Sequence, residues 1–394
     1  MRPVAILSVL LVVVASGTVF GQNAPVPDPQ RQAALTLEQQ GKNPEAVAAW
    51  NVYLKAHPKS PEPYAHLGLL ESRQEHYKEA VSLYRKALAM GPDVAGLRLN
   101  LGLALFKSGD PEAAIHEFEP LLKAQPGNLQ LTTLIGMAHY GLAQYAEAVP
   151  YLRDAAAQDT QSISLRLALA HSCLWSKQSQ CVLDVYKEIL ALNPDSAEAD
   201  MLAGEALDEE KDNEGSTKMF RAAVKADPKY PNAHFGLGYL LWTQKQYEDA
   251  ASEFRAELAN DPDHVQSQLY LGDAEIQMNH MNDAVPLLES VEKQSPSIAL
   301  DHLDLGIVYT ELDRKPDALR ELQMAEKLNP DDVNVHWRLG RLYRALGQES
   351  EARAEMASAG KLTQAADDDL FKKIANGRQH PPQAQDAPAP DAPH

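Results

Sequence analysis

Arg338, Arg341 and Arg344 stand three residues apart in the stretch LNPDDVNVHWRLGRLYRALG, Leu328 to Gly347, of a chain whose formal net charge is −19. On a helix this spacing sets three guanidinium groups along one side. Such a row is suited to bidentate hydrogen bonding with a carboxylate or another anionic group. The competing expectation is internal: Asp367, Asp368 and Asp369 follow closely and would neutralise the arginines if a terminal helix folded back on them. Other chemistry is sparse. The chain has no HExxH, G-x-S-x-G, Walker phosphate loop or CxxC pattern. Its 13 histidines are scattered. The nearest pairings, His76 with Glu79 and His302 with Asp304, lack a third ligand at helical spacing, so no metal or other cofactor is expected. Glu205, Asp208 and Glu209 share a helical face but read as a charged surface rather than an acid–base pair. With no nucleophile, base and oxyanion donor in one pattern, the chain is not expected to be an enzyme.

The elements that must position these residues follow from composition and period. Of the 394 residues 44% are hydrophobic and 23% charged, ample for a core. Ala, Leu and Val dominate, and strand alternation is missing, which predicts an all-α fold. An excess of 55 acidic over 36 basic residues repels phosphate backbones, so a nucleic-acid partner is not expected. The opening MRPVAILSVLLVVVASGTVFGQ reads as a signal peptide over 1–21, with cleavage near Gly17 to Gly21. Its apolar run from Val4 to Ala15 is shorter than the ~20 residues a membrane span needs. The mature protein is therefore expected to be exported, periplasmic or secreted, without a membrane span.

Prolines recur at 58, 92, 126, 194, 228, 262, 296 and 330, at steps of 34 residues or once 68. From Pro27 to Gly360 the chain divides into ten consecutive units. The eighth position of each is small, reading Ala34, Gly68, Gly102, Gly136, Ala170, Gly204, Gly238, Gly272, Gly306 and Gly340. The twentieth is small too, Ala in most units. Two helices, A and B, are expected to cross closely there. The twenty-fourth is bulky, from Trp50 and Tyr84 to Leu322 and Met356, and is expected to fill the space between hairpins. Turn residues stand near position 15, as Gly41, Gly109, Asn279, Asp313 and Gly347. The fifth unit has Lys177 there, which predicts a slightly irregular hairpin. Residues 361–377 read as a capping helix with Leu362, Leu370, Phe371 and Ile374 apolar. Residues 378–394 read as a disordered, Pro- and Ala-rich tail.

This pattern resembles the tetratricopeptide repeat family over about 85% of the chain. The resemblance implies a right-handed superhelical solenoid of tandem helix-turn-helix repeats, with helix A lining a concave groove. Positions 2, 5, 6, 9, 12 and 13 would then face a partner. They supply Leu99, Leu103, Phe106, Met137, Tyr140, Leu174 and Trp175, and further on Phe235, Tyr239, Trp242, Leu269 and Tyr270. Apolar density of this kind marks an interaction surface. The lysines and asparagines by which some members of the family clamp a chaperone carboxylate have no counterpart here. Arg338, Arg341 and Arg344 fall at positions 6, 9 and 12 of the last unit, on the same inner face. The expected function is a protein–protein interaction scaffold that holds an extended peptide or protein segment. The alternative is a subunit of a cell-envelope assembly or export complex handling polysaccharide or pilus components. Cys173 and Cys181 are the only thiols. An internal bridge, two free thiols and intermolecular use all stay open for them, because a bridge needs converging Cβ vectors.

Overall fold

The computed structural model describes residues 28–91 and 96–379, with side chains at 370, 371 and 373–379 left aside. The expected signal peptide, the tail from 380 onward, and the side chains of Leu370, Phe371 and Ile374 lie outside the described residues. Within them every regular element is an α-helix. The chain divides into two compact units, 1–226 and 227–394. The N-terminal unit holds α1 (Pro29–Gln39), α2 (Asn43–Ala56), α3 (Glu62–Arg73), α4 (Tyr77–Met90), α5 (Leu97–Lys107), α6 (Pro111–Ala124), α7 (Leu129–Gly141), α8 (Tyr145–Gln158), α9 (Ile163–Trp175), α10 (Ser179–Leu192), α11 (Ala197–Glu209) and α12 (Asn213–Ala226). The C-terminal unit holds α13 (Ala233–Thr243), α14 (Tyr247–Asn260), α15 (Val265–Gln277), α16 (Met281–Gln294), α17 (Ala299–Glu311), α18 (Lys315–Leu328), α19 (Val333–Ala345) and α20 (Glu349–Gln379). Within each unit, odd-numbered A helices pair with the following B helices, and each B helix packs on the next A helix.

Small residues at position 8 decide how each hairpin closes. A Cβ on Gly68 would stand 2.7 Å from the Tyr84 ring, and one on Gly238 would stand 2.8 Å from the Phe254 ring. The bulky residue at position 24 thus seats on the position-8 residue of its own hairpin. It fills the interior of the hairpin rather than the gap to the next one. At position 20 the approach is close enough for Ser216 Oγ to donate to the Gly204 carbonyl at 2.8 Å. Trp50, Tyr84, Phe118, Phe254 and Leu288 are fully buried by this arrangement, each such side chain contributing on the order of 2 kcal/mol.

The turn repeats with equal regularity. Its residue has φ of 69° at Gly41 and 77° at Gly347, but also 63° at Glu75, 56° at Ala143 and 61° at Lys177. The fifth hairpin therefore has the same turn as its neighbours, and the expected irregularity is absent. Packing holds Lys177 in a left-handed conformation that costs a side-chain-bearing residue about 1–2 kcal/mol. Cys173 and Cys181 lie at the end of α9 and the start of α10, where this turn brings them together. A disulfide joins them with Cα atoms 5.8 Å apart, which closes the question their repeat positions had left open. Residues 361–377 are helical, but not as a separate cap. They continue α20 without a turn at Gly360.

Candidate binding surfaces

In the C-terminal unit, α13 and α15 bring Phe235, Tyr239, Trp242 and Tyr270 together, all half-buried. α13 is preceded by Asn232, which is left-handed (φ 65°) and offers no side-chain cap. The buried carboxylate of Glu257 on α14 takes over, accepting from the backbone N–H of Asn232 at 3.0 Å and of Phe235 at 3.2 Å. This satisfies two orphan donors of the first turn and sets the position of Phe235. At the start of α15, His264 Nδ1 accepts from the Ser267 N–H, so its Nε2–H is left to donate to Asn232 Oδ1 at 2.9 Å. The two helix starts are thereby tied to each other. Ring centroids lie 5.2 Å apart for Tyr239 and Tyr270, 5.1 Å for Trp242 and Tyr270, and 6.1 Å for Phe235 and Tyr270. Tyr239 and Trp242 meet Tyr270 nearly at right angles, the edge-to-face arrangement that aromatic quadrupoles favour.

Acids stand directly beside these rings. Trp242 Nε1–H donates to Asp273 Oδ2, and Gln277 Nε2 donates to Asp273 Oδ1 at 3.3 Å. On α17, Asp304 is 2% exposed, and its Oδ2 has no hydrogen-bond partner among the described residues. Burial, then Asp273 and Asp301, push the Asp304 carboxyl well above the usual carboxylate range, while Arg338 pulls the other way. Burial also raises the Tyr270 phenol, with Tyr239, Asp273 and Asp304 adding to it.

The arginine row is partly internal, though not as expected. Arg338 is half-buried, and Arg341 and Arg344 are exposed. Burial lowers the Arg338 pKa, and Asp304 and Glu311 of α17 oppose that shift. Arg341 stacks over Trp337 at 4.7 Å from the ring centre. Asp367 to Asp369 are not the partners of Arg338. Met356 lies opposite Gly340, and the uninterrupted α20 carries Asp367 roughly 13 Å past the level of Arg338 at 1.5 Å per residue.

The N-terminal unit has a second patch. Leu99, Leu103, Phe106, Met137 and Tyr140 are half-buried. Trp175, 41% exposed, stands 6.2 Å from Tyr140, 5.1 Å from His171 and 4.5 Å from Tyr145 between ring centres. Tyr145 starts helix B, so the reading of A-helix positions missed it. His171 Nε2 is bonded to Glu198 Oε1 at 2.9 Å, and Lys177 pairs with Glu209. Two residues expected in the groove are core: Leu174 is 3% exposed and Leu269 6%. Positions 12 and 5 turn toward the adjoining hairpin as readily as toward an open face, and in these two hairpins the neighbour covers them.

Histidines at position 4 have a structural role. His234 bonds Glu253 at 2.6 Å, His302 bonds Glu321 at 2.7 Å and His336 bonds Glu355 at 2.7 Å, each across its own hairpin. Arg98 reaches Glu117 in the same way at 2.8 Å. Two of these pairs belong to groups whose geometry is compatible with a metal ion, Glu292–His302–Glu321 and Glu326–His336–Glu355. Both ring nitrogens of those histidines are already engaged, since Nε2 also bonds the carbonyl of Pro296 or Pro330.

Comparison with known proteins agrees with this architecture. The tetratricopeptide repeat family profile matches residues 31–95, 65–128, 99–163, 183–231, 212–265, 235–297 and 303–368. A TPR repeat-containing protein of Pseudomonas aeruginosa is 35% identical over 113 residues, 28% of this chain and 45% of that protein. Anaphase-promoting complex subunit 3 of Schizosaccharomyces pombe is 23% identical over 190 residues, 48% of this chain and 29% of that protein. The chain thus spans less than half the length of either relative. Among solved structures, the C-terminal part of a TPR repeat-containing protein from Cytophaga hutchinsonii has a TM-score of 0.49 at 16% identity, covering 61% of this chain and 98% of that one. YrrB, described as a TPR protein with an unusual peptide-binding site, has a TM-score of 0.43 at 18% identity, covering 47% of this chain and 95% of that one. With its profile matched over most of its length and its helices paired as that profile requires, the chain belongs to the tetratricopeptide repeat family.

Proposed function

We propose that the chain is a non-enzymatic adaptor, a scaffold of ten hairpin repeats that holds an extended peptide or protein segment across A-helix faces. The observation that carries this reading is the ring cluster of Phe235, Tyr239, Trp242 and Tyr270 on one face of the C-terminal unit. Half-buried aromatics in mutual contact present a large, rigid apolar area at low entropic cost, as binding hot spots do. Arg338, Arg341 and Arg344 give the far end of that unit an anion-binding edge. The patch around Tyr140 and Trp175 offers a second surface. An array of random twelve-residue peptides, probed with the full chain and with a Tyr239→Ala, Trp242→Ala, Tyr270→Ala variant, tests the reading. Peptides retained by the first and lost by the second support it. Equal retention by both, with the variant still folded, overturns it.

Export to an oxidising compartment fits this role and is part of the proposal. The signal-like first 21 residues and the Cys173–Cys181 disulfide support it, since disulfides persist outside the reducing cytoplasm. Mass spectrometry of the protein from fractionated cells would decide. A chain that keeps Met1 and stays in the cytoplasm rules export out.

A further inference from the structure

The last hairpin of the C-terminal unit shows a face that earlier hairpins cover. A helices touch the A helix of the next hairpin as well as their own B helix, as α15 touches α17 and α17 touches α19. Position 5 is buried at Leu269 of α15 and at Leu303 of α17, each followed by another hairpin. On α19 the same position is Trp337, 45% exposed, and no hairpin follows it among the described residues. Leu346, just past the end of α19, is exposed too. The open end of a solenoid leaves such a face in need of cover.

The contact between successive A helices has a polar part as well. Arg31 at position 5 pairs with Glu62, position 2 of the next A helix, at 2.6 Å. His171 at position 9 bonds Glu198, again position 2 of the next A helix, at 2.9 Å. A basic residue at position 5 or 9 thus meets an acid at the start of the following A helix. On α19 position 9 is Arg341, exposed and stacked over Trp337. Among the described residues it has no ion-pair partner.

The chain itself continues in the register of an eleventh A helix, with Asp368 at position 2. No turn brings that segment back onto its own α19. α20 has 31 residues where every earlier B helix has 14. The excess extends about 25 Å at 1.5 Å per residue, and residues 363–369 along it are exposed. A second copy of the chain meets both needs. An A helix runs antiparallel to the B helix before it, and two α20 helices related by a two-fold axis across them also run antiparallel. The extension of each copy can then lie along α19 of the other.

We propose that the protein forms a two-fold symmetric dimer in which residues 363–379 of each copy serve as an eleventh A helix on α19 of the other, pairing Asp368 with Arg341 and covering Trp337. Exchange of an identical element is a low-cost route to a dimer. Asp368 Oδ1 accepts from Gln364 at 2.9 Å within its own helix, which leaves Oδ2 for the guanidinium. The proposal names an occupant for the anion-binding edge of the unit. It does not depend on the peptide reading, which is carried by residues of α13 and α15.

Analytical ultracentrifugation of the full chain over a concentration series tests it, and the expected result is a dimer that dissociates on dilution. Arg341→Glu alone and Asp368→Lys alone each reverse one exposed charge. Each should raise the dimer dissociation constant at least about tenfold, because the pair occurs twice in every dimer. An equimolar mixture of the two variants should regain the affinity of the unaltered chain to within about threefold, since a mixed dimer sets opposite charges together at both contacts. Thermal unfolding checks that the variants are folded, and Asp368→Lys on the projecting helix carries the test if Arg341→Glu is not. A full chain that is monomeric at every concentration overturns the proposal. So do folded variants that dimerise as the unaltered chain does, or a mixture of folded variants that regains nothing.

Discussion

Replacing Asp301 with Asn should flatten the pH dependence of stability in the C-terminal unit. Asp301 is 0% exposed and neither carboxylate oxygen has a hydrogen-bond partner among the described residues. Burial raises its pKa from an ordinary 3.8 to about 7. His302 opposes the shift, and Glu292 and Glu321 add to it. The folded form then holds a proton up to about pH 7 that the unfolded chain releases near pH 4. Stability is full below the lower value and falls as pH rises toward the upper one, by at most about 1.4 kcal/mol per pH unit. Between pH 5 and pH 8 only the span up to pH 7 counts, so this group removes at most roughly 3 kcal/mol. His302 and His336 act in the same direction. Burial alone would lower their pKa values, but the Pro296 or Pro330 carbonyl and Glu321 or Glu355 outweigh it and raise them. Their contribution is present below the ordinary histidine value and is lost as pH climbs through the raised one. Urea denaturation of the full chain and of Asp301→Asn at pH 5 and pH 8 reads the Asp301 share together with the part of the His302 shift that Asp301 itself supplies. Any fixed cost of burying the Asn amide cancels in the double difference. The unaltered chain should lose more stability than the variant over that interval, by about 1–3 kcal/mol. Parallel losses in the two proteins would refute the reasoning.

Four further outcomes follow from the packing, the turns and the disulfide. Gly238→Ala, whose new Cβ would stand 2.8 Å from the Phe254 ring, should destabilise by about 1–3 kcal/mol. Gly340→Ala, whose new Cβ would stand 2.9 Å from Met356 Cε, 3.0 Å from its Cγ and 3.3 Å from the Ala352 carbonyl oxygen, meets an unbranched side chain that can shift and should cost less in the same denaturation assay. Ala143→Gly relieves a backbone held at φ 56° and should stabilise the N-terminal unit by about 1 kcal/mol in thermal unfolding. Replacing Cys173 and Cys181 by Ser opens a bridge between residues 8 apart. It should lower the stability of that unit by roughly 2–3 kcal/mol in a comparison with the oxidised protein.

Much of the architecture is legible in the 34-residue period, because a solenoid repeats its contacts as well as its residues. Gly68 and Tyr84, or Gly238 and Phe254, are neighbours in space for the same reason that they are equivalent in sequence. The His–Glu pairs were legible too. Arg98, His234, His302 and His336 share position 4, and Glu117, Glu253, Glu321 and Glu355 share position 23 of those same repeats. Looking at each histidine against its nearest acid, such as His302 against Asp304, hides that pairing. The turn at Lys177 was harder, since its conformation comes from the hairpin closing around it and not from the residue. Leu174 and Leu269 show the limit at the surface. A repeat position says which way a side chain leaves its helix, while the next hairpin decides whether anything covers it. Asp273 and Asp304 were invisible as a pair, because acids at inner positions look solvated until neighbouring A helices close over them.

The adaptor reading is tested most directly by calorimetric titration of the tightest array peptide into the full chain and into Trp242→Ala and the Tyr239, Trp242, Tyr270 triple alanine variant, each checked for intact thermal unfolding. Truncation of buried aromatic anchors costs about 2 kcal/mol or more. The account therefore predicts a dissociation constant raised about 30-fold for Trp242→Ala and binding lost in the triple variant. Affinities within about twofold of the unaltered chain for both folded variants would contradict it.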